Sequence, residues 1–131
     1  MTLTKKVKEA LLKRDLWCWH CGTSNYLVPH HRINRGSGGS RALDRLDNLI
    51  LVCAVYNGQM ESDAEIARQA RIDGHKLSRY ENTDEPVFDC LQGIWYQLDA
   101  VGGKHEYRRI SLEDEASSDG DRKRRSKESE F

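Results

Sequence analysis

Seven consecutive apolar residues, Leu49 to Val55, form the longest uninterrupted hydrophobic run in this chain. The run is far short of the roughly 20 residues that a bilayer span requires, and its length suits a strand buried on both faces. Any core must gather around it, because only 37% of the 131 residues are apolar while 32% are charged. An average soluble domain has roughly 45–50% and 25%. A sequence this polar cannot bury a large core along its whole length. Within the run, Leu49-Ile50-Leu51-Val52-Cys53 reads as the best buried strand.

The rest of the chain is organised on either side of that strand. Val7, Ala10, Leu11 and Leu12 lie among lysines in residues 5–14, which predicts a short amphipathic helix. Cys18-Trp19-His20-Cys21-Gly22 forms a tight CxxC knuckle. Tyr26 to His31 reads as a strand, confined to a ladder edge or a bulge by Pro29. Arg35-Gly36-Ser37-Gly38-Gly39-Ser40-Arg41 is too glycine-rich to be regular. After the buried strand, Ser62 and Glu65 stand at capping-box spacing, and Met60, Ala64, Ala67 and Ala70 keep helical spacing up to Gly74, a C′ residue. Weaker strands are expected at 86–90 and 94–98 around a Gln92-Gly93 turn. From about Leu112 the composition turns almost wholly polar, which predicts a disordered charged tail over 112–131 after a single domain in 1–111.

Net charge is zero, but it is unevenly placed. Residues 1–45 carry nine Lys/Arg against three acids, residues 46–111 seven against eleven, and residues 112–131 five against seven. The N-terminal third therefore suits a polyanion, a solvated basic surface being the simpler alternative. The start of the chain is charged throughout and lacks an export segment, so a cytoplasmic protein is expected. In that reducing setting four cysteines suggest metal ligands or small buried groups, not disulfides.

Residues 18–57 carry the chemistry. In order they present Cys18-x-x-Cys21, His30-His31, the glycine-rich loop, Asn48, the apolar strand ending at Cys53, and Asn57. The intervals are 17 residues from His31 to Asn48 and 9 from Asn48 to Asn57. This pattern resembles the HNH endonucleases, the ββα-metal or His-Me finger nucleases. His30-His31-Arg32-x-x-Arg35-Gly36-x-Gly38-Gly39-Ser40 is similar in particular to small bacteriophage HNH proteins. The resemblance covers about residues 15–75.

The resemblance implies an α+β fold: a ββα-metal core, an N-terminal helix and a small C-terminal β-hairpin. It implies a DNA endonuclease in which His31 is the general base for the attacking water, and His30 and Asn57 hold one divalent metal ion. Asn48, the middle residue of the motif, would tie down the loop and orient the base without touching the metal. One ion with open positions for water and phosphate oxygens could neutralise the charge that develops at phosphorus and on the leaving 3′-oxygen. Asparagine in place of histidine at position 57 offers a hard oxygen, which favours Mg²⁺ or Mn²⁺. Arg32, Arg35 and Arg41 are the expected phosphate contacts, with backbone N–H groups around Gly38 and Gly39 approaching the same oxygens.

In many relatives of this kind two CxxC pairs hold a structural zinc. Here the fourth cysteine position is Tyr56, leaving Cys18, Cys21 and Cys53, with His20 or the distant Cys90 as possible completions. Simpler readings stand beside these roles: Asn57 as a helix N-cap, Asn48 as a turn residue, Glu61 as a solvated helix charge, and His20, His75 and His105 as ordinary surface residues. Two rival functions share the fold. One is a catalytically silent DNA-binding module; the other is an accessory protein working with a phage packaging or recombination partner.

Overall fold

The computed structural model describes residues 3–34 and 41–108. The expected disordered tail, and Arg35, Gly38 and Gly39 of the glycine-rich loop, lie outside the described residues. The described chain is mixed α+β, with three helices and two small antiparallel sheets. None of the helices described is long and apolar enough to cross a membrane.

Helix α1, Lys5–Arg14, starts where Thr4 accepts a hydrogen bond from the Val7 amide, and it buries Leu11. Leu11 packs with Leu46, Leu49 and Leu51, one of two apolar clusters. The chain leaves α1 through Arg14 and Asp15, and both side chains turn onto the central strands. Asp15 accepts the Leu51 amide at 3.0 Å, and Arg14 donates to the carbonyls of Leu46 and Leu49. The Trp19 amide donates to the Leu51 carbonyl. These groups satisfy backbone that an exposed strand edge would leave open.

Strand β1, Leu27–His31, pairs antiparallel with β2, Leu49–Cys53, in the register Leu27 with Cys53 through His31 with Leu49. Pro29 fits because the sheet has only these two strands, so its missing donor falls on a free edge. All five residues of β2 are buried. Side chains alternate across the pair. Ile50 and Val52 enter the larger core with Trp19, Tyr56, Met60, Ala70, Val87 and Leu98, while Leu49 and Leu51 face α1.

Helix α2, Ala54–Ser62, begins directly at the end of β2. The cap is Cys53, whose sulfur accepts the Tyr56 amide, so Asn57 lies inside the helix and is not its N-cap. The chain then breaks at Asp63, which caps α3, Ala64–Ile72, by accepting from Glu65 and Ile66. Ser62 therefore ends one helix, its hydroxyl turned back to the Gly58 carbonyl, and does not open the next. A carboxylate at the cap satisfies two first-turn amides at once and suits the positive end of the helix.

Gly74 closes α3 as expected. It sits at φ 76°, the His75 amide returns to the Ala70 carbonyl, and the Gly74 amide returns to that of Arg71. This is the paired bonding of a left-handed C-terminal cap. A side chain there would also strike the Pro86 carbonyl. The second sheet is β3, Val87–Asp89, β4, Ile94–Leu98, and β5, Lys104–Glu106. The expected hairpin thus gains a third strand, too short and polar to announce itself.

Candidate functional site

His30 and His31 end β1, and Asn57 lies one turn into α2. All three line one cleft of about 230 Å³, together with Pro29, Arg32, Asn34, Glu61, Lys76 and Leu77. Strand alternation sends the two imidazoles to opposite faces of the hairpin, and the cleft wraps around the strand end to meet both.

His30 is buried, and its Nε2 lies 2.9 Å from the His75 carbonyl. A carbonyl only accepts, so Nε2 carries the proton and Nδ1 keeps its lone pair. Asn57 lines the same cleft as this ring. Burial pushes the His30 pKa down to about 4, partly offset by its bond to the His75 carbonyl. The imidazole is therefore neutral at pH 7, as a metal ligand must be. An imidazole nitrogen fixed by a carbonyl on its far side, sharing a cleft with a carboxamide side chain, is a donor set that suits a divalent ion keeping several waters.

His31 is oriented by a residue that sequence reasoning passed over. Its Nε2 lies 2.7 Å from a carboxylate oxygen of Asp44. The carboxylate holds the proton on Nε2 and leaves Nδ1 as the basic nitrogen, the arrangement that positions a catalytic imidazole. Asp44 lies 13 residues beyond His31 with no local pattern to mark it. Only the tertiary fold brings the pair together.

Asn48 is wholly buried. Its carboxamide accepts the Ile33 amide at 2.8 Å and donates to the carbonyls of Ile33 and Leu43, at 3.2 and 2.9 Å. The Arg32 amide meets the Asn48 carbonyl at 2.8 Å. This residue therefore joins the segment leaving His31 to the segment carrying Asp44.

Arg32 is a correction. It was expected to hold phosphate, yet it is only 1% exposed. Nε donates to the Gly74 carbonyl, Nη1 to those of Asp47 and Thr83, and Nη2 to that of Glu85. The reason is the strand period: residue 32 follows His30 by two and turns to the same inner side. Burial lowers its pKa to about 10, with Asp47 and Glu85 opposing, so it stays charged at neutral pH. It knits the 74–86 connection to the end of β1. The side chain of Arg41 is not described, so the expected phosphate contacts at Arg35, Gly38, Gly39 and Arg41 have no structural account.

His75, expected at the surface, is another correction: it is fully buried. Its Nε2 donates to the Phe88 carbonyl at 2.8 Å, and Nδ1 accepts from the Tyr56 hydroxyl at 2.7 Å. Burial pushes its pKa down to about 3. The spacing of a lone histidine past a helix cap gave no sign of this.

The three cysteines do converge. The sulfurs of Cys18, Cys21 and Cys53 all lie within 4.8 Å of one another. Cys21 and Cys53 are 3.8 Å apart. Two thiolates on a tetrahedral zinc with bonds near 2.3 Å stand ~3.8 Å apart, whereas a disulfide needs about 2.05 Å. The amides of His20 and Cys21 point at the Cys18 sulfur, and that of Tyr56 at the Cys53 sulfur. Burial raises the Cys18 pKa, while the Thr23 amide and the neighbouring thiols lower that of Cys21. The cluster could hold a metal ion, and an all-thiol donor set suits zinc. Neither proposed completion joins it. The ring of His20 lies flat on Tyr56, 3.9 Å between centroids, and Cys90 points to Asp73.

No family model, curated protein or solved structure matches this chain. The resemblance to HNH nucleases therefore rests on the motif residues.

Proposed function

We propose that this chain is a metal-dependent DNA endonuclease of the HNH, or ββα-metal, class. The supporting observation is the shared cleft: His30, its proton held on Nε2 by the His75 carbonyl, in one lining with Asn57 and with a second imidazole, His31, oriented by Asp44. In this reading His30 and Asn57 hold Mg²⁺ or Mn²⁺. When bound, the ion supplies charge neutralisation at the phosphate and the departing 3′-oxygen. His31 takes a proton from the attacking water at Nδ1, and Asp44 steadies the imidazolium that results. Asn48 keeps Asp44 and His31 in register by bracing both segments. The thiols of Cys18, Cys21 and Cys53 hold a structural zinc that ties the knuckle to the end of β2, so the purified protein carries one zinc per chain by elemental analysis and Cys21→Ser loses it.

Plasmid nicking by the full chain is the direct test. Supercoiled DNA is expected to relax with Mg²⁺ or Mn²⁺, to stay intact in EDTA, and to stay intact with His31→Ala. A general base contributes about 10²–10⁴-fold, so residual nicking by that variant should be at least a hundredfold slower. Retention of DNA by wild type and His31→Ala alike, with no cleavage in any metal ion, would replace the nuclease with a DNA-binding module.

A further inference from the structure

The loss of Arg32 as a phosphate contact leaves a gap that another part of the surface fills. A second groove of about 390 Å³ is lined by Asn34, Arg71, Lys76, Leu77, Ser78 and Arg79. It shares Asn34, Lys76 and Leu77 with the histidine cleft, so the two are continuous around the 76–77 segment. That segment is held beside the strand end. Ile33 and Leu77 form a parallel bridge, and the Leu77 amide donates to the Arg32 carbonyl at 2.8 Å. The guanidinium of Arg32 binds the carbonyls of Gly74, Thr83 and Glu85 on either side of it.

The arginines of this groove differ from the others whose side chains are described. Arg14 pairs with Asp15, Arg45 with Asp47, Arg68 with Glu65 and Arg108 with Glu106, while Arg32 is satisfied by carbonyls. The exposed guanidinium groups of Arg71 and Arg79 have no such partner among the described residues. The acid facing Lys76 is Glu61, 4.0 Å away in the lining of the same cleft. Unpaired guanidinium groups beside a half-buried lysine, leading out of a cleft with two imidazoles, form a track for the anionic backbone of an extended polymer.

We propose that Arg71, Lys76 and Arg79 are the phosphate-binding track that guides a nucleic-acid strand into the His30–His31–Asn57 cleft. This assignment rests on the nuclease reading for what happens in the cleft, but it is a statement about binding and is tested without cleavage. Arg71 and Arg79 each hold a backbone phosphate next to the one in the cleft, and Lys76 exchanges Glu61 for phosphate where the two grooves join.

The experiment measures binding of a fluorescein-labelled DNA duplex to the full chain in EDTA, by anisotropy, across a salt series. Each phosphate contact contributes close to one unit to the slope of log affinity against log salt. The double variant Arg71→Ala/Arg79→Ala is expected to bind about tenfold or more weakly at low salt and to lose about two units of slope. Arg71→Lys/Arg79→Lys keeps the charges and should keep most of the slope. Arg68→Ala, which removes an arginine already paired on the same helix, should change neither. The proposal is overturned if the double alanine variant binds with the wild-type slope, or if the wild type does not bind the duplex. The two readings separate cleanly. A slope lost in the double variant, from a wild type that never nicks plasmid, supports the track and removes the nuclease; normal nicking with unchanged binding in that variant does the reverse.

Discussion

Two buried histidines show how one side chain type serves two ends in this fold. His75 and His30 each donate Nε2–H to a main-chain carbonyl, Phe88 for one and His75 itself for the other. Burial pushes both pKa values well below the ordinary range. The difference lies at Nδ1. In His75 the Tyr56 hydroxyl donates to it, and the ring is closed off in the core. His30 instead lies in the lining of the cleft that Asn57 shares. One buried ring is thus closed within the core, while the other reaches a cleft.

The largest effect should separate the two rings by activity. On the proposed nuclease reading His30→Ala removes a metal contact worth several kcal/mol of transition-state charge stabilisation, so nicking is expected to fall about a thousandfold while the protein stays folded by circular dichroism. Nicking at the wild-type rate would break the comparison. His75→Ala should act the other way. It leaves a void, the Tyr56 hydroxyl and the Phe88 carbonyl unsatisfied, and is expected to cost about 3–5 kcal/mol in urea denaturation. A loss below about 1 kcal/mol would show that the closed ring is not structural.

Acid should weaken both together. Each folded pKa is depressed, to about 4 for His30 and about 3 for His75. The unfolded chain binds protons near pH 6.5, so the stability from each neutral ring is complete above that pH and declines as pH falls toward the folded values. By pH 5 the metal-free protein should lose about 2 kcal/mol per imidazole, measured as the unfolding free energy against pH. The slope should halve in a variant lacking either ring; an unchanged slope would mean that other groups carry it. Smallest of all, Tyr56→Phe removes one donor and should cost about 1–2 kcal/mol without altering the rate of nicking. A large drop in rate would join Tyr56 to the cleft.

Patterns within a few residues were legible in the sequence. Helix α1, the two central strands and the left-handed stop at Gly74 follow from periodicity, an apolar run and one glycine. The convergence of His30, His31 and Asn57 was anticipated only through a motif resemblance, since their positions in a strand and a helix say nothing alone about a shared cleft. Arg32, His75 and Asp44 were misjudged or missed for a common reason. Their partners lie 13 to 54 residues away and are mostly carbonyls, which carry no residue type to recognise.

By itself the sequence determined helix α1, the two central strands and the stop at Gly74, because those choices depend on neighbours a few positions apart. Only the tertiary structure decided which polar side chains are spent inside and which remain open to a ligand. That choice depends on where burial removes water. A guanidinium or imidazole that loses its hydration must take whatever acceptor the fold brings to it, and one left at the rim stays available.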